Sequence, residues 1–270
     1  MPEHSGNFPQ KTAIVSGATG GIGQFLCRRL REQGYRIVIL SRRAGVPPGI
    51  AADLAVTCDL MDAGAVAAAG RVIRDACPTI DLFVSCAGTI SPQPAGGLDG
   101  ELVRRQVETN LTGVILLTEE VLPHIAAGGR ILFVNSMAGV FPLAGSAVYT
   151  ASKFGLRGFA RALALELRPR RIRVVSVFPG SVDTPMFRDE MEQGGSLLNF
   201  MSWPQDPERA AAWILAAAGS RKEEHFPSFI DRIFPALFLW SPVFMRLCMP
   251  VMTTWSRLTR WVYRRRQARG

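Results

Sequence analysis

Short apolar runs alternate with stretches of helical pattern between residues 12 and 178 of this 270-residue chain. Each run is apolar at consecutive positions and rich in β-branched residues, which is typical of strands buried on both faces of a parallel sheet. Because helices separate the runs, we predict a single-domain, doubly wound α/β fold of Rossmann type, whose ligands bind beyond the carboxyl ends of the strands. The predicted strands are residues 12–16, 36–40, 55–58, 81–85, 130–135 and 173–178, and the predicted helices are residues 24–33, 62–76, 102–122 and 149–167.

The composition excludes several classes of protein. Hydrophobic residues make up 48% of the chain and charged residues 20%, which is too apolar for a disordered protein. The five cysteines have no CxxC spacing and the three histidines are scattered, so we expect reduced structural thiols and no metal site.

Residues 1–10 are polar, so we expect an N-terminal arm without a secretory signal, and a cytoplasmic protein. The predicted domain is residues 11–227, with an extension at residues 228–270.

A glycine-rich turn, SGATGGIG at residues 16–23, follows the first predicted strand and precedes the first predicted helix. Glycine lets the backbone approach a pyrophosphate, and a helix N-terminus offers unpaired N–H groups and a positive dipole end. A structural turn without a ligand is the alternative, but the flanking strand and helix favour a dinucleotide site. The candidate cofactor contacts of this turn are Ser16, Gly17, Thr19, Gly20, Gly21, Ile22 and Gly23.

The end of the second predicted strand distinguishes between the two nicotinamide dinucleotides. NAD sites usually place a carboxylate there, which binds the ribose 2′-hydroxyl. This chain has Ser41, Arg42 and Arg43 instead, and guanidinium groups bind a 2′-phosphate through paired hydrogen bonds. We therefore predict NADP(H) as the cofactor, the alternative being that both arginines are merely solvated.

Tyr149 and Lys153 are four residues apart in a predicted helix and therefore share one of its faces. The chain has three tyrosines and three lysines against 28 arginines, so the position favours lysine chemistry over positive charge alone. We expect the Lys153 ammonium to lower the pKa of Tyr149, which would let the phenol transfer a proton near neutral pH. Ser136, just past the fifth predicted strand, could donate a hydrogen bond to a substrate carbonyl oxygen.

Several ordered motifs make the chain resemble the classical short-chain dehydrogenase/reductase family over residues 11–227. The motifs are SGATGGIG at 16–23, Asp59-Leu60, SCAG at 85–88, Asn110, NSMAG at 135–139, YTASK at 149–153 and PGSVDTPM at 179–186. The resemblance implies that Tyr149 is the general acid/base, and that Lys153 lowers its pKa and binds the nicotinamide ribose. It implies further that Ser136 orients the carbonyl and that Asn110 holds a water of the proton relay. It also implies assembly as a homodimer or homotetramer.

The resemblance extends to cofactor contacts outside the glycine turn. It implies that Asp59 meets the adenine amino group, with Leu60 beside it. The other implied contacts are Ala87, Gly88, Pro179, Gly180, Val182 and Thr184. Cys86 stands where the family usually has asparagine, so we expect altered packing there without loss of catalysis. The stretch RKEEHFPSF at 221–229 resembles the branch of membrane-associated reductases that handle lipids and steroids.

The C-terminal extension is apolar and rich in arginine. Its longest uncharged run, residues 233–245, is shorter than the about 20 residues that span a membrane and contains Pro235 and Pro242. Aromatic residues and the eight arginines after Asp231 favour two helical pieces on an anionic lipid surface. Packing on the domain or a dimer interface is one alternative, and nucleic-acid binding is disfavoured because no base-stacking fold accompanies the basic end.

Together these features predict an NADPH-dependent reductase of a ketone or aldehyde, reversible as an alcohol oxidation. The apolar loop at residues 181–203 is predicted to cap the pocket, and its side chains indicate a hydrophobic substrate that is lipid-, ketosphinganine- or steroid-like. We expect the extension to hold the enzyme peripherally on a membrane. The alternative is a tethered scaffold or sensor that binds NADP(H) with little turnover.

Overall fold

The computed structural model of the protein describes residues 10–267, in which seven strands form one sheet. The strands are β1 (Thr12–Ser16), β2 (Arg36–Ser41), β3 (Leu54–Thr57), β4 (Ile80–Ser85), β5 (Ile125–Val134), β6 (Arg173–Val177) and β7 (Glu224–His225). Their order is β3-β2-β1-β4-β5-β6-β7, and every neighbouring pair is parallel. The predicted doubly wound α/β fold is confirmed. The strand order reverses between β1 and β4, which places the expected ligand crevice at their carboxyl ends.

Helices cover both faces of the sheet. They are α1 (Gly23–Glu32), α2 (Ala63–Ala76), α3 (Gly100–Val107), α4 (Gly113–Val121), α5 (Ala147–Glu166), α6 (Pro185–Glu192), α7 (Pro207–Ala218), α8 (Phe229–Trp240) and α9 (Pro242–Gln267). Successive side chains of a strand point to opposite faces, so Ile14 packs under α2, α4 and α5 while Val15 packs under α1 and α7. This two-sided burial explains why the strands are apolar at consecutive positions.

The single helix predicted over residues 102–122 is interrupted. A π-helical turn, Glu108–Thr112, separates α3 from α4 and contains the buried Asn110. Gly113 follows at once, and a Cβ at this position would overlap the backbone oxygen of Leu60. The close approach of α4 to the loop after β3 therefore requires glycine, which periodicity alone does not reveal.

The seventh strand is also absent from the sequence prediction. It consists of two polar residues, Glu224 and His225, and is defined by pairing with Ser176 and Val177 of β6. Arg157 of α5 stabilises it through hydrogen bonds of 2.7 and 2.9 Å to the Glu224 carboxylate. Such a strand has no pattern of its own because its partners come from distant parts of the chain.

The C-terminal extension packs on the domain as two helices, α8 and α9. Phe238 of α8 and Met252 of α9 form a buried cluster with Phe141 and Leu198. Further along α9, Tyr263 packs with the aromatic rings of the 181–203 segment. That segment, predicted as a loop, contains α6 and a 3-10 turn, Leu197–Phe200. Among residues 10–267, no helix is both long and apolar enough to cross a bilayer.

Candidate active site

A cavity of about 610 Å³ lies at the carboxyl ends of the strands, where the loops after β1, β4, β5 and β6 meet. The predicted site residues that line it are Gly17, Gly20, Gly21, Ile22, Gly23, Gly88, Ser136, Tyr149, Lys153, Pro179, Gly180, Val182 and Thr184. The predicted residues outside its lining are Ser16, Thr19, Ser41, Arg42, Arg43, Asp59, Leu60, Ala87 and Asn110. The structure thus brings the glycine turn and the Ser-Tyr-Lys residues into one space.

The glycine turn is packed so closely against its neighbours that a side chain would not fit at Gly17 or Gly21. Gly17 has a φ of +70°, and a Cβ there would lie 2.6 Å from the backbone nitrogen of Ala87. A Cβ on Gly21 would lie 2.6 Å from the Thr184 side chain. No side chain among the described residues caps the start of α1, and its first turn contains no acidic residue, so the positive end of the helix dipole can attract an anion. The residues present therefore fit a dinucleotide pyrophosphate.

Ser16 has a bracing role that the sequence does not predict. Its hydroxyl accepts hydrogen bonds from the backbone N–H groups of Cys86 and Ala87, at 3.3 and 3.4 Å. These bonds join the end of β1 to the residues that follow β4. Burial raises the pKa of the Cys86 thiol to about 11, so this residue is a neutral apolar part of the lining.

Tyr149 and Lys153 lie near the start of α5, on the face that lines the cavity. Ser136 follows β5, where its hydroxyl accepts a hydrogen bond of 3.1 Å from the Ala138 N–H and also hydrogen-bonds to the Tyr149 phenol. A carbonyl oxygen placed between Ser136 and Tyr149 would meet two hydroxyl groups. This arrangement can donate a hydrogen bond and a proton to the same atom.

The expected direction of the Tyr149 pKa shift is wrong for this structure. Burial raises the pKa of the phenol above its usual value, because the charged phenolate is disfavoured away from water. The hydrogen bond with Ser136 opposes this shift without cancelling it. The Lys153 ammonium lies 5.6 Å from the centre of the Tyr149 ring and does not offset the burial. Burial also lowers the pKa of Lys153 to about 8.

Asn135 positions the lysine, although the sequence assigns this residue no role. Its side-chain N–H donates a hydrogen bond of 3.2 Å to the Lys153 carbonyl, and its oxygen accepts one of 2.9 Å from the Ser136 N–H. A Cβ on Gly139 would lie 2.8 Å from that oxygen, so a glycine is required beside it. The motif NSMAG at 135–139 was the available signal, since the end of β5 and α5 meet through it.

Asn110 is fully buried and makes three hydrogen bonds to protein groups. Its oxygen accepts from the Thr89 N–H at 2.8 Å, and its N–H groups donate to the Thr89 carbonyl at 2.8 Å and the Ser152 hydroxyl at 3.2 Å. Asn110 therefore links the loop after β4 to α5. A water bound by this residue, as the family resemblance implies, would have to use the remaining lone pair of its oxygen.

The predicted adenosine contacts lie at the ends of β2 and β3. Arg42 and Arg43 are exposed, and the Ser41 hydroxyl accepts a hydrogen bond of 3.1 Å from the Arg43 N–H. Asp59 accepts one of 3.0 Å from the Met61 N–H, while Leu60 is buried in the core. All these residues lie on the β2–β3 side of the glycine turn, where a 2′-phosphate and an adenine would extend from the cavity.

Apolar side chains form the opposite half of the cavity. Met186, Leu198 and Met201 come from the 181–203 segment, and Phe234 and Met252 come from α8 and α9. The sequence predicts that the segment caps the pocket, but it does not predict that the C-terminal helices also form its wall. The polar side chains of Glu190, Asn199 and Asp231 also line this half, and sequence reasoning missed them as well.

The model of the short chain dehydrogenase family matches residues 11–194. The chain belongs to this family. The 3-oxoacyl-[acyl-carrier-protein] reductase MabA of Mycobacterium tuberculosis is 30% identical over 194 residues, covering 70% of this chain and 77% of that protein. A probable NADP-dependent dehydrogenase of Haemophilus influenzae is 32% identical over 208 residues, covering 74% and 78%. Among solved structures, a short chain dehydrogenase from Burkholderia cenocepacia in complex with NADP is 26% identical, with a TM-score of 0.72, covering 89% of this chain and 97% of that chain.

Membership of the short chain dehydrogenase family confirms the predicted family and the oxidoreductase class. The matched residues include the glycine turn and the Ser-Tyr-Lys residues, but end before α7. The two C-terminal helices, which complete the cavity of this short chain dehydrogenase, lie beyond the matched range.

Proposed function

We propose that the protein reduces a ketone or aldehyde on a hydrophobic substrate with NADPH, in a reaction reversible as alcohol oxidation. One observation supports this function above all. A single cavity joins the glycine turn to Ser136, Tyr149 and Lys153 and continues into an apolar compartment. Relatives named as reductases and as an NADP-dependent dehydrogenase support the same chemistry.

The residues at the cavity divide the work of binding and proton transfer. The glycine turn and the start of α1 would hold the pyrophosphate, and Arg42 and Arg43 would bind a 2′-phosphate. Bound NADPH would supply the hydride that reduces the carbonyl carbon. Tyr149 donates its phenolic proton to the carbonyl oxygen, and the Ser136 hydroxyl orients that oxygen. Lys153 stabilises the phenolate left behind, and Asn110 holds a water that returns the proton.

The raised pKa of Tyr149 suits the reducing direction. A phenol with a pKa above its usual value stays protonated at neutral pH, which is the state that can act as an acid. Lys153, with a pKa of about 8, is mostly charged at neutral pH and can offset the phenolate as it forms.

The apolar compartment favours a lipid-like substrate, whether a long-chain acyl, ketosphinganine-like or steroid-like compound. The decisive experiment measures NADPH oxidation by the purified full chain with a panel of long-chain ketones in detergent. We expect turnover with at least one hydrophobic ketone, and a kcat/KM about 10³-fold lower for Tyr149→Phe. NADPH binding without turnover of any ketone would contradict this function and favour the scaffold or sensor.

The exposed side chains of the C-terminal helices α8 and α9 support the proposal that the protein binds a membrane surface. On α9 an exposed apolar stripe consists of Val243, Leu247, Val251, Trp255 and Leu258. Leu247 and Val251 are each 72% exposed, and Trp240 at the end of α8 is 85% exposed. Exposed arginines, including Arg246 and Arg257, flank the stripe, and an anionic bilayer offers both an apolar layer and negative headgroups to such a surface.

Vesicle flotation tests this surface without removing helices that complete the cavity. We expect the full chain to float with phosphatidylserine-containing vesicles, and Leu247→Glu to reduce the bound fraction about tenfold through lost apolar burial and charge repulsion. Leu165→Glu, at a 58% exposed position of α5, is the matched control and should float normally. If the wild type is instead a dimer that Leu247→Glu dissociates, the stripe is an interface between copies of this chain.

A further inference from the structure

Glu190 is a buried carboxyl group in the apolar half of the cavity that the proposed reaction does not use. It lies on α6, is 7% exposed and lines the cavity together with Tyr149 and Ser136. Its negative charge is near enough to the Tyr149 phenol to raise the pKa of that group. A carboxylate removed from water is costly unless it is hydrogen-bonded or paired with a cation.

The protein supplies only some of the hydrogen bonds that the Glu190 carboxylate can accept. Its Oε1 accepts a hydrogen bond of 2.7 Å from the Asn199 side chain. Within residues 10–267, no second side-chain hydrogen bond and no salt bridge to Glu190 is found. An ionised carboxylate has about four acceptor positions, so most of its capacity is unused. Burial raises the pKa of Glu190 to about 7, with the Asn199 hydrogen bond opposing the shift, as expected for a carboxyl group without a cation.

Several contacts hold Glu190 in place. Its backbone oxygen accepts a hydrogen bond of 2.8 Å from the Gly195 N–H, and a Cβ on Gly195 would lie 2.6 Å from the Glu190 Cγ. The Ser181 hydroxyl donates to the Asn199 carbonyl and so anchors the residue that binds Glu190. The carboxylate is therefore held beside the reacting groups, and a ligand would not have to order it first.

We propose that Glu190 binds a hydrogen-bond donor, an ammonium or hydroxyl group, carried near the carbonyl of the substrate. This inference rests on the proposed function and names its substrate class: a hydrophobic ketone with an amine or hydroxyl a few carbons from the carbonyl. Such a group would use the acceptor positions that the protein leaves open. A plain ketone would leave the carboxylate buried and unpaired, and sites of this kind discriminate strongly against a missing donor.

Three ketones of equal chain length test the inference: an unsubstituted ketone, its hydroxyl analogue and its amine analogue. Each is compared by kcat/KM in NADPH oxidation and by calorimetric affinity for the full chain saturated with NADP+. For the wild type we expect both donor-bearing ketones to exceed the unsubstituted one at least about tenfold in kcat/KM and in affinity.

Two substitutions of Glu190 separate charge from hydrogen bonding. Glu190→Gln keeps an acceptor oxygen but loses the charge, so the preference for the amine should fall about tenfold, while the preference for the hydroxyl changes less. Glu190→Met has a similar shape and no acceptor, so both preferences should disappear. Glu192→Gln is the matched control, because it makes the same change at an exposed position of α6, and it should keep the wild-type ratios.

The outcomes separate this inference from the proposed function. Equal efficiency and affinity for all three ketones in the wild type would overturn the role of Glu190 and leave the reductase function standing. Retention of both preferences in a folded Glu190→Met variant would overturn it too. If no ketone is reduced, the proposed function fails, and the calorimetric affinities still decide whether Glu190 selects a donor. The wild-type ranking decides the matter even if both variants unfold.

Discussion

The two halves of the cavity are built by different means. The cofactor half consists mainly of backbone, at the turns after β1, β4, β5 and β6, where Gly17 and Gly21 allow close approach. The substrate half consists of side chains from α6, the Leu197–Phe200 turn and the two C-terminal helices. Backbone cradles require particular residues at fixed spacings, whereas an apolar wall accepts many side chains of suitable volume. The cofactor half can therefore be recognised in the sequence by its motifs, and the substrate half cannot.

The largest expected effect tests whether the halves meet at Tyr149. Tyr149→Phe removes the proton donor while leaving both compartments intact, so kcat/KM should fall about 10³-fold. The affinity for NADPH, measured by fluorescence titration, should stay within about twofold of the wild type. Turnover retained by this variant would show that another group supplies the proton.

The next prediction tests whether the C-terminal helices belong to the substrate half alone. Phe238 is 2% exposed and packs against Phe141, so Phe238→Ala should cost about 3–4 kcal/mol of local packing. The KM for a long-chain ketone should rise while the affinity for NADPH stays unchanged. Leu239→Ala, at a 50% exposed position of α8, is the control and should change neither. A matching loss of NADPH affinity would mean that the two halves are not independent.

A smaller effect concerns Lys153, at the boundary of the two halves, and the pH dependence of the free energy of unfolding. Burial lowers the pKa of Lys153 to about 8 from its usual value of 10.5, so between pH 8 and pH 10.5 the unfolded chain binds a proton that the folded protein has lost. The free energy of unfolding should therefore rise with pH from 8 to 10.5, by about 3 kcal/mol relative to Lys153→Met. Urea unfolding of the cofactor-free proteins at several pH values measures this difference. A constant difference would show that Lys153 is not perturbed.

The smallest effect concerns the outer edge of the cofactor half. Arg42→Ala should raise the KM for NADPH about tenfold and leave that for NADH nearly unchanged, because the lost hydrogen bonds would reach only a 2′-phosphate. Arg43→Ala should act in the same direction. Arg105→Ala, an exposed arginine on α3, serves as the control. Equal changes for both cofactors would contradict the assignment of these arginines.

The parts that could be predicted from the sequence depend on local pattern. Ala13, Ile14 and Val15 are consecutive apolar residues because the strand is buried on both faces, and the structure has the strand Thr12–Ser16 with the predicted bounds. Tyr149 and Lys153 share a face because four residues make about one helical turn. The turn at 16–23 requires glycine because its backbone lies against Ala87 and Thr184. The spacing of its glycines is therefore visible in the sequence.

The remaining features depend on partners that are distant along the chain. Glu224 and His225 form a strand only because β6 and Arg157 lie beside them. Asn135 positions Lys153 only because the end of β5 meets α5.

By itself, the sequence determined the parallel sheet, the glycine turn and the shared helical face of Tyr149 and Lys153, because periodicity and backbone geometry act over a few residues. Tertiary structure alone decided the direction of the Tyr149 pKa shift, the burial of Glu190 and the closing of the cavity by α8 and α9. These depend on how much water each group loses, and burial is set by every element that packs around it.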